Sequence, residues 1–281
     1  MTPLLRDILA TDALQIVFQP VVELIGDKLQ LHMLECLTRG PRNTNAARAD
    51  VMFEYVRRKR VEPTVDRACI LLGLHAAAAL PGTPDLSFNT HASTLGRDSE
   101  FPALLVAMAD EVGIDPSRIT IEIIEHAHGW DGATFDRALR TLRSFGARIA
   151  LDDVGLGHSN YQMMIDTHPQ YMKIDRYFVH GAHADLDRRA VLDSIAQLAL
   201  RLGARVVAEG VEDTRDLLPL SDAGIDLAQG YLFARPLSAP QLIASGWLQP
   251  SAPIAAPARS FAACPAYVPC TTNAFCSPTI R

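Results

Sequence analysis

The sequence has no surplus of basic charge. Its 26 Lys and Arg stand against 32 Asp and Glu, for a formal net charge of −6. A broad basic surface for a DNA or RNA polymer is therefore not expected. No stretch of about 18 uncharged apolar residues exists, so no membrane span is expected. The longest candidate, ACILLGLHAAAALP at residues 68–81, is too short and reads as a buried Ala/Leu helix stopped by Pro81 and Gly82. The opening residues MTPLLRDILATDALQ carry Arg6, Asp7 and Asp12 and lack the apolar core of a secretory signal. Paired-cysteine zinc spacing is also missing. Cys36 and Cys69 sit in apolar runs, as reduced core residues do, and Cys264, Cys270 and Cys276 follow a C-x5-C-x5-C pattern that matches no usual zinc site. A cytoplasmic location is expected. Gly155-x-Gly157 lacks the third glycine of a dinucleotide fingerprint and follows an acidic pair, which excludes that reading.

What the chain has is 281 residues, 48% of them hydrophobic, enough to bury a sizeable core. Length alone suggests about two domains, but a single α/β barrel often uses about 250 residues. Short β-rich runs alternate with helical patterns from residue 15 to about residue 245. Strands are predicted at 15–22, 29–37, 86–89, 118–124, 148–152, 170–174, 204–208 and 225–229. Helices are predicted at 49–60, 64–80, 99–112, 131–145, 187–202 and 213–223, the later ones stopped by Gly113, Gly146, Gly203 and Gly224. Eight strand–helix units fit a (β/α)8 barrel of the TIM type better than an open sheet. Ile25-Gly26-Asp27-Lys28 leaves no room for a helix, so the first two strands form a hairpin and one strand near the N-terminus runs antiparallel. Residues 1–246 are taken as the barrel. Residues 247–281, rich in Pro and Ala, are taken as a flexible tail that packs in part on the barrel. A protein partner for that tail is the lesser alternative.

The informative pattern is where polar residues fall. Asn89 ends LSFN, Glu122 interrupts ITIEII, Asp152 and Asp153 end IALDD, Lys173 sits in YMKID, Glu209 ends RVVAE, Gln229 ends DLAQG, and Glu35 lies late in LQLHMLE. Carboxylates in apolar strands are costly unless paired or metal-bound. One such residue would read as a helix N-cap, as Asp131 and Asp213 do, but that account is strained when successive strands repeat it. In a barrel these strand ends converge on one mouth. Hard oxygen donors without His or Cys suit Mg2+ or Mn2+ rather than zinc. Two such ions form the clamp used in phosphodiester hydrolysis. Lys173 alone would read as a structural ion pair with Asp175 or a strand-end carboxylate; among these acids it can orient water or hold phosphate.

Taken in order, these residues resemble the EAL domain, the cyclic di-GMP-specific phosphodiesterase family, over about Gln15 to Pro240. Phe18-Gln19-Pro20 resembles its opening strand. Glu35-Cys36-Leu37, followed by Arg39, sits where the name-giving triplet belongs. Ser87-Phe88-Asn89, Glu122-Ile123-Ile124-Glu125 and Asp152-Asp153-Val154-Gly155-Leu156-Gly157 resemble three further motifs. Lys173-Ile174-Asp175, Ala208-Glu209-Gly210-Val211-Glu212 and Gln229-Gly230-Tyr231 match fully, with Arg235-Pro236-Leu237 beyond. The resemblance implies a modified barrel and hydrolysis of cyclic di-GMP to linear pGpG. It implies that Glu35, Asn89, Glu122, Asp152, Asp153 and Glu209 ligate two Mg2+ or Mn2+ ions, with Asp152 bridging. By the same resemblance Lys173 positions the attacking water, and Glu212 and Gln229 support waters and substrate. Gln19, Leu37 and Arg39 hold the dinucleotide, Glu125 anchors the loop after Asp153, and the chain forms a homodimer. The departures are Cys36 for Ala, Ile124 for Thr, Val154 for Phe, Leu156 for Thr, and Gly40-Pro41 in place of an aromatic after Arg39. They leave one alternative open: a catalytically weak or silent cyclic di-GMP receptor acting through protein partners. An unrelated Mg2+-dependent barrel enzyme is opposed by the order of the motifs alone. His126-x-His128 and Arg57-Arg58-Lys59-Arg60 read as a solvated loop and a solvated helix end.

Overall fold

A computed structural model describes residues 3–10, 13–26, 28–124, 131–156 and 161–249, together with the backbone of 254–255. The strands are β1 (Gln15–Ile25), β2 (Lys28–Arg39), β3 (Leu86–His91), β4 (Ile119–Ile124), β5 (Arg148–Val154), β6 (Tyr171–Ile174), β7 (Arg205–Ala208), β8 (Leu227–Ala228) and β9 (Ile254–Ala255). The helices are α1 (Pro3–Ile8), α2 (Ala49–Lys59), α3 (Glu62–Ala78), α4 (Ala92–Arg97), α5 (Phe101–Glu111), α6 (Gly132–Ser144), α7 (Tyr161–Thr167), α8 (Arg176–Val179), α9 (Leu186–Leu202), α10 (Leu217–Asp222) and α11 (Ala239–Ala244).

The sheet runs β1-β8-β7-β6-β5-β4-β3-β2, and β1 pairs with β2, so eight strands close into a barrel. The strands from β2 to β8 are parallel neighbours. The reversed strand is β1, antiparallel to both β2 and β8. Ile25 pairs with Lys28 across a two-residue turn in which Gly26 has φ 60°. That is the hairpin expected from the missing helix, and glycine takes the left-handed backbone there without a Cβ clash.

Helix ends follow their local chemistry. Gly113, Gly146, Gly203 and Gly224 all have positive φ, as helix-stopping residues do. Asp131 accepts the Thr134 backbone N–H and opens α6; Asp213 accepts that of Arg215. The pattern at 213–223 resolves into a 3-10 turn and the short α10. The short helices α1, α4, α7, α8 and α11 had no sequence expectation. Each spans seven residues or fewer, too short for a helical period to show. Trp247, where the tail was set to begin, is buried and packs with Leu248 on the main core; β9 pairs with Lys28 and Leu29 of β2.

The main core lies between the strands' outer faces and the helices. Gly73 of α3 is part of that contact. A Cβ there would sit 2.6 Å from the buried Phe88 ring, next to Asn89 on β3. Gly73→Ala is expected to destabilise the fold by about 1–3 kcal/mol through overpacking. Chemical denaturation measures this, and an unchanged midpoint would show that Phe88 yields freely.

Candidate active site

Side chains alternate along a strand, so residues two apart share a face. Val21, Met33, Ala150, Tyr171, Val207 and Leu227 form a closed cluster inside the barrel. Two residues from each, on the same face, lie Gln19, Glu35, Asp152, Lys173, Glu209 and Gln229. Ser87 and Thr120 complete the lower layer, and Asn89 and Glu122, paired neighbours on β3 and β4, stand above them. The apolar layer is thus a floor, and the polar residues form the layer above it at the C-terminal ends of the parallel strands, the functional end of such barrels.

Strict alternation would send Asp153 to the opposite face from Asp152. A bulge changes this. Leu151 pairs with Met172 and Val154 with Ile174, so Asp152 and Asp153 together oppose Lys173 alone. Asp153 takes φ 51°, a left-handed conformation that Asp tolerates better than most residues. One carboxylate oxygen each from Asp152, Asp153 and Glu209 then lie within 4.8 Å of one another.

Lys173 is the centre of the constellation and is 1% exposed. Its Nζ lies 2.6 Å from Glu122, 2.7 Å from Glu209, 3.4 Å from Glu35 and 3.8 Å from Asp152. Of the two structural pairings expected for Lys173, the one with strand-end carboxylates is made, to Asp152 and Glu209, and the one with Asp175 is not, since Asp175 caps α8 through the Tyr177 N–H. Glu35 accepts hydrogen bonds from Asn89 Nδ2 at 2.7 Å and Gln229 Nε2 at 2.6 Å. Glu122 is fully buried, gives one oxygen to Lys173, and its Oε1 has no partner among the described residues.

Burial and charge oppose each other here. Burial pushes the Lys173 ammonium towards neutrality, but Glu122, Glu209, Glu35 and Asp152 outweigh it and hold its pKa well above the usual lysine value. Burial likewise raises Glu35, yet Lys173 and the Gln229 and Asn89 amides leave it below its ordinary value. Glu122 is pushed up to about 7, by burial first and then by repulsion from Glu35. Asp152 and Glu209 are also raised, chiefly by burial, against the pull of Lys173.

Divalent cations fit this donor set. Four carboxylates (Glu35, Glu122, Asp152, Glu209) surround one ammonium and Asp153 stands with Asp152 and Glu209; with all five ionised the surplus is four negative charges, which two divalent ions would match. The buried Glu122 Oε1 is an acceptor with lone pairs to spare. A pH dependence follows. With its folded value near 7, above the ordinary carboxylate value, Glu122 contributes stability at low pH that is lost as pH rises through 7. Asp152 and Glu209 act in the same direction, and Glu35 acts in the opposite one at lower pH. Chelator-treated protein is expected to melt about 5 °C lower at pH 8 than at pH 5, and the gain on adding Mg2+ should grow across that window. A gain that is flat with pH would contradict the assignment of these acids.

A cavity of ≈ 380 Å³ opens above this layer. Gln19, Glu35, Leu37, Arg39, Asn89, Asp152, Lys173, Glu209, Glu212 and Gln229, all expected from the sequence, line it. Glu122 lies beneath, reached through Lys173, and Asp153 joins through Asp152 and Glu209. Glu125, the expected loop anchor, lies outside the described residues, as do His126, His128 and Gly157. Gln19 Nε2 donates to the Ala234 carbonyl at 3.1 Å. Arg39 has no hydrogen-bond or ion-pair partner among the described residues. Cys36 and Cys69 are buried free thiols beside the cavity, with pKa values raised by burial, that of Cys69 to about 12.

Arg176, Tyr231 and Phe53 are among the lining residues that had no expected role. Arg176 follows the Asp175 cap at the start of α8 and reaches towards Glu212 at 3.9 Å; the cap was its only sequence signal. Tyr231 carries the Arg235 guanidinium over its ring at 4.2 Å. Phe53 sits on α2, four residues after Ala49, where an apolar residue of an amphipathic helix reads simply as core.

The geometry has close relatives. The EAL domain family matches residues 4–236. The cyclic di-GMP phosphodiesterase RocR of Pseudomonas aeruginosa is 35% identical over 153 residues, covering 54% of this chain and 39% of that protein. The cyclic di-GMP phosphodiesterase NbdA of the same organism is 30% identical over 244 residues, covering 83% of this chain and 30% of that protein. The chain spans well under half the length of these curated relatives. Among solved structures, a standalone EAL protein from Vibrio cholerae O395 with c-di-GMP bound superposes at TM-score 0.71 with 25% identity, over 82% of this chain and 95% of that one. A manganese/cy-diGMP complex of Klebsiella pneumoniae BlrP1 gives TM-score 0.71 and 27% identity, over 82% of this chain and 57% of that one. With its closed barrel, single reversed strand and family match across most of its length, the chain belongs to the EAL domain family.

Proposed function

We propose that this chain hydrolyses one phosphodiester of cyclic di-GMP to linear pGpG, with two divalent cations, Mg2+ or Mn2+. The observation that carries this reading is the ring of four carboxylates closed around the buried Lys173 at the barrel mouth, with Asp153 grouped beside Asp152 and Glu209. The cations would supply Lewis acidity and charge compensation at the scissile phosphate. Glu35, Asn89, Glu122, Asp152, Asp153 and Glu209 would hold them. Lys173, kept charged by its neighbours, donates a hydrogen bond that fixes the attacking water. Glu209 is 21% exposed with a raised pKa, which suits it to take that water's proton. The water oxygen bonds to phosphorus, the P–O3′ bond breaks with its electron pair going to O3′, and the departing 3′ oxygen takes a proton from solvent. Arg39, with its guanidinium unpaired among the described residues, holds a phosphate in bidentate fashion. Gln19 and Leu37 pack the dinucleotide beside it, and Glu212 supports bound water. Gln229 orients Glu35, and its loss should lower metal affinity about 10–100-fold.

Val154 and Leu156, which replace the usual loop residues after Asp153, favour a second reading in which the site binds cyclic di-GMP without turnover. Incubation with cyclic di-GMP and Mn2+, followed by chromatographic separation of nucleotides, decides between them. The hydrolase yields pGpG, abolished by chelator; full binding with no product supports the receptor. The chain is further proposed to act as a cytoplasmic homodimer, which light scattering checks by mass. Among the described residues no helix is long and apolar enough to cross a membrane.

A further inference from the structure

Outside the carboxylate ring, Asp66 of α3 is a buried carboxylate, 1% exposed. It accepts the His91 backbone N–H at 3.0 Å, His91 Nδ1–H at 2.9 Å and the Thr94 hydroxyl at 2.5 Å. Sharing Nδ1 with a carboxylate places the ring proton there and fixes the imidazole's orientation. His91, 3% exposed at the end of β3, turns this fixed ring against Phe53, with centroids 5.7 Å apart and planes at 52°. Phe53 is half-buried and packs on the small core formed by α1, α2 and α3, yet it also lines the cavity. The ring is therefore held by His91 and the small core while bordering the space above Lys173. Leu37, Ala49 and Arg39 line the same cavity. A flat apolar ring and a guanidinium lining one cavity suit a ligand that joins a phosphate to an aromatic base.

We infer that Phe53 is the stacking platform for one purine base of the substrate, held in place by the Asp66–His91 pair acting as positioning residues. This rests on the reading of the site as one for cyclic di-GMP. Base–aromatic stacking tolerates any base face and is lost on truncation to alanine. Calorimetric titration of cyclic di-GMP into the full chain with Ca2+ tests the inference. Phe53→Ala should raise Kd about 10- to 100-fold, and Phe53→Tyr, which keeps the ring, should stay within about threefold of wild type. His91→Leu should raise Kd by less. The double variant Phe53→Ala/His91→Leu should bind no more weakly than Phe53→Ala, because His91 acts only through that ring. Circular-dichroism melts confirm that each variant is folded at the titration temperature. A folded Phe53→Ala that binds like wild type, or a double variant whose losses add, overturns the inference. Wild-type protein that does not bind cyclic di-GMP overturns the substrate reading itself, and this inference with it.

Discussion

Glu35→Ala is expected to lower hydrolysis of cyclic di-GMP by about 10³-fold or more while leaving the barrel folded. Glu35 is buried and accepts from Asn89, Gln229 and Lys173 at once, so it orders three strands' worth of site residues around one carboxylate. Its removal strands no buried charge. Lys173 keeps Glu122 and Glu209 at 2.6 and 2.7 Å, and what is lost is an acceptor for two amides. The chelated protein should stay folded but melt a few degrees lower (about 1–3 kcal/mol), because Asn89 and Gln229 lose a buried acceptor and the favourable ionisation of Glu35 is gone. Initial rates of pGpG formation, paired with melts, give both numbers. Retained turnover would contradict the placement of Glu35 in the machinery.

Lys173→Met should go further: activity is lost and the fold suffers more. This substitution removes the only cation within 4 Å of Glu35, Glu122, Asp152 and Glu209 among the described residues. Breaking a buried pair by deleting one partner is destabilising by about 3–5 kcal/mol, because the uncompensated charge stays buried. The raised pKa values of Glu122, Asp152 and Glu209 give this penalty a direction with pH. At pH 5 these acids take up protons and the loss is small; at pH 8 they ionise against one another and the loss is large. Added Mn2+ should restore part of the stability and none of the activity, since the ions replace the missing charge but not the hydrogen bond to water. Urea denaturation at both pH values, with and without Mn2+, measures this. Equal stability to wild type at pH 8 in chelator would mean that Lys173 is not the counter-charge of the ring.

The contrast between the two variants also shows what the sequence could disclose. Polar residues breaking apolar strands at regular intervals were enough to place Glu35, Asn89, Glu122, Lys173, Glu209 and Gln229 at one mouth, because strand alternation and barrel closure leave little choice. The hairpin at Gly26, the caps at Asp131 and Asp213 and the glycine helix stops were legible for the same reason: each depends on chemistry within a few residues. The bulge at Asp152–Asp153 was not. Adjacent carboxylates suggest a shared site, but only the irregular register against β6 shows how both come to lie with Glu209. Phe53 was hidden because core packing and cavity lining demand the same kind of residue at that position. The burial of Trp247 was hidden because composition marks where regular structure ends, not where packing does. The small helices α4, α7 and α8 are set by tertiary contacts at the strand ends and carry no period of their own.

The most direct test of the central claim, that the carboxylate ring and Lys173 drive attack of water on the phosphodiester, is mass spectrometry of the product formed in 18O-labelled water. Purified chain with cyclic di-GMP and Mn2+ is predicted to yield pGpG carrying one 18O in its 5′-phosphate, and none in the presence of chelator. Cyclic di-GMP recovered intact and unlabelled, from a sample in which calorimetry shows it fully bound with metal present, would contradict the account.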